Sequence, residues 1–152
     1  MNLAAKLIAT FFGVGYCPVW PGAAGSLAGI IIAWYASPSL LLVLLAAFTL
    51  LGFWACAPTE RVYGIHDPQR FVMDEVCGMF ISILFLPKTV AVYVAGYVLF
   101  RIFDSVKPWP ISLIQKNKHP HSIMWDDLAA GVASNAVLQI AVRTFLKPGG
   151  TL

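Results

Sequence analysis

Between Lys6 and Glu60 the chain runs for 53 residues without a charged side chain or a histidine, and the stretch from Leu40 to Ala57 is apolar apart from Thr49 and Gly52. A run of that length and character is what crossing a bilayer requires. The rest of the chain keeps the same bias: of 152 residues, 59% are hydrophobic and 11% charged, with a mean hydropathy of +0.79. Soluble domains carry charge on about a quarter of their residues. Residues 1–152 therefore read as a single polytopic membrane domain. A secretory signal peptide is not expected, because the first apolar residues run into Gly13, Gly15, Pro18, Pro21 and Gly22 instead of a short core and a cleavage site.

Glycine, proline and charge punctuate the chain into an all-α bundle of about six helices. The expected pieces are residues 2–14, Ser26 to Ala36, Leu40 to Ala57, Val76 to Leu86, Thr89 to Ser105, and Asp127 to Leu146. Pro87-Lys88 decides the topology. One straight helix over 76–100 would be about 37 Å long and would send Asp74-Glu75 and Asp104 to opposite faces of a membrane. It would also hold a lysine at mid-bilayer, at a cost of roughly 2.5–3.5 kcal/mol. A hairpin turning at Pro87-Lys88 avoids both, with arms short enough to be shallow or re-entrant beneath the longer helices. Lys6, Arg61, Arg70, Arg101, Lys107, Lys116 and Lys118 then share one face, leaving Lys88, Arg143 and Lys147 opposite. The positive-inside rule makes the first face cytoplasmic.

All three acidic groups fall on that face. The chain has seven acidic residues, and five of them form Asp74-Glu75, Asp104 and Asp126-Asp127, each at the edge of a long apolar stretch. Helix capping accounts for one acid at a helix start, but adjacent pairs add a repulsion that a bound cation relieves. Without the His/Cys spacing of a zinc site, an oxygen-ligated hard cation such as Mg²⁺ fits best. Arg101 and Lys107 flank Asp104 at a spacing of three, where they either pair with it or hold an anion. Pro21-Gly22-Ala23-Ala24-Gly25-Ser26 is expected as a loop ending in a Ser26 cap, with Gly25 and Ser26 offered to a phosphate. His66-Asp67, His119 and His121 are expected in loops of the same face as phosphate contacts or proton donors. Asp127, Gly131 and Ser134-Asn135 form a small or polar stripe suited to the bundle interior.

Several classes are disfavoured. The basic residues are dispersed and not gathered into a nucleic-acid-binding run. Cys17, Cys56 and Cys77 have no CxxC spacing and read as free thiols. A cation or proton transporter using the same acids is the alternative reading; it would place them near mid-membrane instead of at helix ends. No protein partner is indicated.

PGAAGS at 21–26, GIHD at 64–67, VMDEVCGMF at 72–80, FRIFDSVKPWPI at 100–111 and MWDDLAAGV at 124–132 occur in that order. Together they resemble the phosphatidylglycerophosphatase A family over essentially the whole chain. The resemblance implies an all-helical, Mg²⁺-dependent lipid phosphatase of the bacterial inner membrane that converts phosphatidylglycerophosphate to phosphatidylglycerol. It implies that Asp74, Glu75, Asp104, Asp126 and Asp127 belong to a polar metal site, and that Arg101 and Lys107 are its basic positions. The expected roles are catalysis by Asp74, Glu75, Asp104 and Asp127 and phosphate binding by Arg101, Lys107, Ser26, Gly25 and His66. Two departures stand out: Ala23 replaces a threonine usual in the family's PGTxGS, and Lys118-His119-Pro120-His121-Ser122 replaces a glycine-rich approach to the acidic pair.

Overall fold

A computed structural model describes residues 3–115 and 119–145. Lys116, Lys118, Leu146 and Lys147, used above to place charge and the last helix end, lie outside the described residues. Within them the protein is all-helical, with α1 (Leu3–Ala9), α2 (Pro21–Tyr35), α3 (Pro38–Tyr63), α4 (Met73–Ile83), α5 (Val90–Val106), α6 (Ile111–Gln115) and α7 (Ser122–Phe145), plus a 3₁₀ turn at Val14–Tyr16.

The expected hairpin is present: α4 and α5 are joined by residues 84–89 and pack on each other. Thr89 caps α5 by accepting from the Val92 N–H at 3.3 Å, while Lys88 reaches across to donate to the Trp34 carbonyl at 2.9 Å and to that of Ala36. Its ammonium thus satisfies the last carbonyls of α2, which have no partner within the helix. At the end of α4, Asn135 of α7 donates to the carbonyls of Ser82 and Leu84 at 3.1 and 2.9 Å, so this member of the expected interior stripe bonds across helices. Ser134 instead bonds back to Ala130 within its own helix.

α4 is the centre of the bundle. Nine of its 11 residues are buried, and α2, α3, α5 and α7 surround it. Its closest neighbour is α7, and glycines on both helices make the approach possible. A side chain at Gly131 would collide with the Gly78 carbonyl, and one at Gly78 would meet the Phe100 ring and the Asp127 carbonyl. This arm is short, 11 residues, and is enclosed by the longer helices. The outer helices turn apolar surface outward instead. On α5, Val90, Val94, Val98, Ile102 and Val106 recur every four residues along one exposed stripe. Only α3, among the described residues, is both long and apolar enough to cross a membrane; α2 is apolar but has 15 residues.

Several boundaries differ from expectation. α1, expected to run to 14, ends at Ala9, ahead of positive φ angles at Phe11, Phe12 and Gly13, and α4, expected to reach Leu86, ends at Ile83. α2 begins at Pro21, not at Ser26, because proline is preorganised for the first helical position and nothing in Gly22–Ser26 interrupts the helix. α3 continues through Pro58 to Tyr63 and stops at Gly64, which takes a left-handed φ of 67°. α4 and α7 start before their acidic pairs, at Met73 and Ser122. α6 was not foreseen: Pro108-Trp109-Pro110 ends α5 as expected but leads into a short helix.

Candidate active site

The earlier starts of α4 and α7 change what the acidic pairs do. Asp74 sits inside the first turn of α4, where Oδ1 accepts from the adjacent Glu75 N–H at 2.9 Å, and the capping position is held by Val72 without a side-chain bond. Asp126 and Asp127 lie one turn into α7, with Asp126 Oδ1 accepting from the Asp127 N–H at 3.1 Å. Neither pair occupies the capping position itself, and only Asp74 meets a first-turn amide. Asp74, Asp126 and Asp127 are each less than 5% exposed, and burying a carboxylate that no cation neutralises is costly.

The structure sorts the five carboxylates into two groups. Asp74, Glu75 and Asp127 each present an oxygen within 4.8 Å of the others. Among the described residues none of the three has an ion-pair partner, and Glu75 Oε2 is a buried oxygen with no hydrogen bond. Asp104 and Asp126 are held by cations instead. Lys107, at the left-handed C-cap of α5, bonds to Asp126 Oδ2 and lies 3.7 Å from Asp104 Oδ1, tying α5 to α7. Burial alone would lower the Lys107 pKa, but the hydrogen bond and charge of Asp126, with Asp127 and Asp104 behind it, raise it above the ordinary lysine value. Lys107 is thus a fixed cation at neutral pH.

Arg101 Nη1 is ion-paired with Asp104 Oδ2 at 3.0 Å, although it is buried and the pair lacks hydrogen-bond alignment. Glu75 and Arg101 both line an open cavity of about 600 Å³, together with Trp20, Gly22, Ala23, Asp67, Asp104 and Lys107. Glu75, with one carboxylate oxygen that has no hydrogen bond, and the Asp104-paired guanidinium of Arg101 therefore line one cavity. Gly22 closes in on both: a side chain there would collide with Glu75 Oε1 and stand 3.5 Å from Arg101 Nη1.

Gly25, Ser26 and His66, expected at the phosphate, do not line this cavity. Gly25 faces Val72 across the α2–α4 contact, and the buried Ser26 hydroxyl donates back to the Gly22 carbonyl at 3.0 Å. Since α2 begins at Pro21, the amides without helical partners are those of Gly22 and Ala23, one turn earlier. His66 pairs with Glu60 and lies 3.3 Å from Ser122 Oγ, so it links the loop after α3 to the start of α7. Asp67, expected beside His66 as a loop contact, is part of the lining, and so is Trp20, which sequence reasoning passed over because nothing in its spacing marks it.

The three clustered carboxylates fit a hard divalent cation. Octahedral Mg²⁺ bonds at 2.0–2.1 Å put neighbouring ligand oxygens about 3 Å apart and opposite ones about 4 Å apart, close to the spread seen here. Three protein oxygens would leave positions for water and a substrate oxygen, as Mg²⁺ sites usually do.

The model of the family described as phosphatidylglycerophosphatase A matches residues 7–142. The chain is 41% identical over 138 residues to a phosphatidylglycerophosphatase A of Escherichia coli (strain K12), covering 87% of this chain and 80% of that protein. It is 35% identical over 132 residues to a protein of the same name from Haemophilus influenzae, covering 83% and 81%. A Bacteroides thetaiotaomicron protein named "Putative phosphatidylinositol-3-phosphatase" is 38% identical over 147 residues, covering 89% and 91%. No solved structure matches the chain.

Proposed function

The chain belongs to the phosphatidylglycerophosphatase A family, and from that premise we propose that it hydrolyses the phosphomonoester of phosphatidylglycerophosphate, releasing phosphatidylglycerol and phosphate as a step of phospholipid synthesis. Asp74, Glu75 and Asp127 would hold Mg²⁺, and the site would open at the cytoplasmic face of a bacterial inner membrane. The observation that carries this reading is the cluster of Asp74, Glu75 and Asp127 oxygens within 4.8 Å of one another, with Glu75 lining the same cavity as Arg101 and Lys107. A phosphate between a cation held by those carboxylates and the Arg101 guanidinium would meet positive charge on both sides.

Hydrolysis moves the phosphoryl group from the glycerol oxygen to a water oxygen; the P–O ester bond breaks and the leaving oxygen takes up a proton. Bound Mg²⁺ supplies charge neutralisation and Lewis-acid polarisation. Arg101 Nη1 donates to a phosphate oxygen where charge is spread in the transition state. The Gly22 and Ala23 amides, at the positive end of α2, offer two further donors. Lys107 works through Asp104 and Asp126: by pinning α5 to α7 it holds Arg101 and Asp127 at a set separation. The acidic cluster on its own would repel a phosphate, so the reading requires metal.

The membrane assignment rests on the outward apolar stripe of α5, on α3, and on aromatic residues at both ends of the bundle. Trp20, Trp109 and Trp125 are exposed near the cavity, and Trp34 and Tyr35 at the far end of α2. Lys6, Arg61, Arg70, Arg101 and Lys107 are at the cavity end, against Lys88 and Arg143 opposite, which supports a cytoplasmic site. Acids gathered at one end of the bundle also argue against the transporter alternative, which needs them at mid-depth.

The test is phosphate release by purified protein in detergent, with phosphatidylglycerophosphate and, in parallel, phosphatidylinositol 3-phosphate, with and without Mg²⁺. Turnover of the first lipid should require Mg²⁺ and disappear in Asp74→Asn and Asp127→Asn. Retained activity in both variants would remove the proposed site.

A further inference from the structure

Beside the polar cavity lies a second, wholly apolar one of about 650 Å³, within the size range of ligand pockets. It runs between the end of α5, the Pro108–Ile111 turn, α6 and the outer side of α7, lined among others by Phe103, Pro110, Ile114, Trp125, Ala129 and Ala133. Its neighbours along the chain are the groups of the polar site. Phe103 precedes Asp104, Pro108 follows Lys107, and Trp125 precedes Asp126. Successive residues turn about 100° around a helix, so Phe103, Lys107, Asp104 and Arg101 follow one another around α5, and Asp126 borders the α7 face carrying Trp125, Ala129 and Ala133. The Lys107–Asp126 bridge is therefore the boundary between the two cavities.

We propose that this groove holds one acyl chain of the lipid substrate, laid along α7 while the phosphate group occupies the polar cavity on the other side of the Lys107–Asp126 bridge. The inference rests on the phosphatase reading above and adds to it the feature that makes the substrate a lipid and not a free phosphomonoester. Two observations select that occupant. The groove adjoins the phosphate site across a single ion pair, and its lining sets the small Ala129 and Ala133 on one face of α7 beside the larger Phe103, Trp125 and Leu128. Small side chains among bulky ones leave room for a flexible hydrocarbon chain. Binding energy gained there, remote from the reacting phosphorus, is available to position the headgroup.

The experiment compares phosphatidylglycerophosphate bearing two long chains with the dihexanoyl form, in mixed micelles at a fixed surface fraction. Wild type should prefer the long-chain substrate in kcat/KM. Ala133→Phe, which fills the groove, should lower kcat/KM on the long-chain lipid about tenfold, the scale of one or two methylene contacts in an apolar pocket, while leaving the dihexanoyl substrate within about twofold. Leu50→Phe, exposed on α3, which contributes nothing to the groove, should leave both unchanged. If Ala133→Phe loses both substrates, Trp125→Ala decides, because widening the groove should reduce the long-chain preference while the dihexanoyl rate persists. An unaltered chain-length ratio in the active groove variants would overturn the proposal and leave the acyl chains in the surrounding bilayer. Failure of wild type to hydrolyse either lipid would instead overturn the phosphatase reading itself.

Discussion

Gly78→Ala tests how the fold positions its chemistry. The added methyl carbon would stand 2.8 Å from the Asp127 carbonyl oxygen and 2.7 Å from Phe100 Cζ, where ordinary contact begins near 3.4 Å. The deficit is roughly 0.6 Å, and attraction gives way steeply to repulsion over such a gap. Phe100 is fully buried and the other obstacle is backbone, so neither swings aside; α7 must move away from α4 by about that distance. Overpacking of this kind costs about 1–3 kcal/mol and should lower the midpoint of thermal unfolding by several degrees. The catalytic effect should be larger, since Asp74 and Glu75 ride on α4 and Asp127 on α7. Mg²⁺ demands near-octahedral geometry, and a displacement approaching 1 Å is worth up to about a hundredfold in rate. Phosphate release titrated with Mg²⁺ should show kcat reduced at least about tenfold and half-saturation shifted to higher Mg²⁺. Ala136→Leu, on the exposed side of α7, is the control and should behave as wild type. A folded Gly78→Ala protein with unchanged kcat and Mg²⁺ half-saturation would refute the reasoning, because the α4–α7 contact would then not set the donor spacing.

Two further outcomes follow from the charged groups. Arg101→Gln should raise KM for the lipid about tenfold or more and weaken inhibition by inorganic phosphate, since charge-assisted bonds contribute about 1.5–3 kcal/mol; unchanged phosphate inhibition would place the anion elsewhere. Lys107→Met should destabilise the protein by about 3 kcal/mol by leaving Asp126 buried without its cation, and adding Asp126→Leu should recover part of that loss; additive damage in the double variant, read by thermal unfolding, would contradict the bridge.

The hairpin was legible because it follows from arithmetic: Pro87 and Lys88 interrupt a stretch too long to keep both acidic groups on one side. The partner of Lys88 was not, since the Trp34 and Ala36 carbonyls are brought there only by packing. The PGAAGS segment shows why local reading fails. Its glycines look like a loop, but they are there to let α4 and Glu75 approach a helix, and the proline marks that helix's first position. Taking Pro21 as the start would have pointed to the Gly22 and Ala23 amides directly. The five carboxylates were recognisable as a set, but not their division. Spacing offers Lys107 a partner three residues away in Asp104, whereas its hydrogen bond goes to Asp126, 19 residues on, across the α5–α7 contact.

The central claim is that Asp74, Glu75 and Asp127 hold the cation that phosphate hydrolysis requires. Mn²⁺, substituted for Mg²⁺ in crystals of the purified protein, would locate it by its anomalous scattering. The peak should fall between the three carboxylates in wild type and vanish in Asp127→Asn, with phosphate release lost in parallel. A metal peak elsewhere, or full turnover by protein stripped of metal with EDTA, would contradict the account.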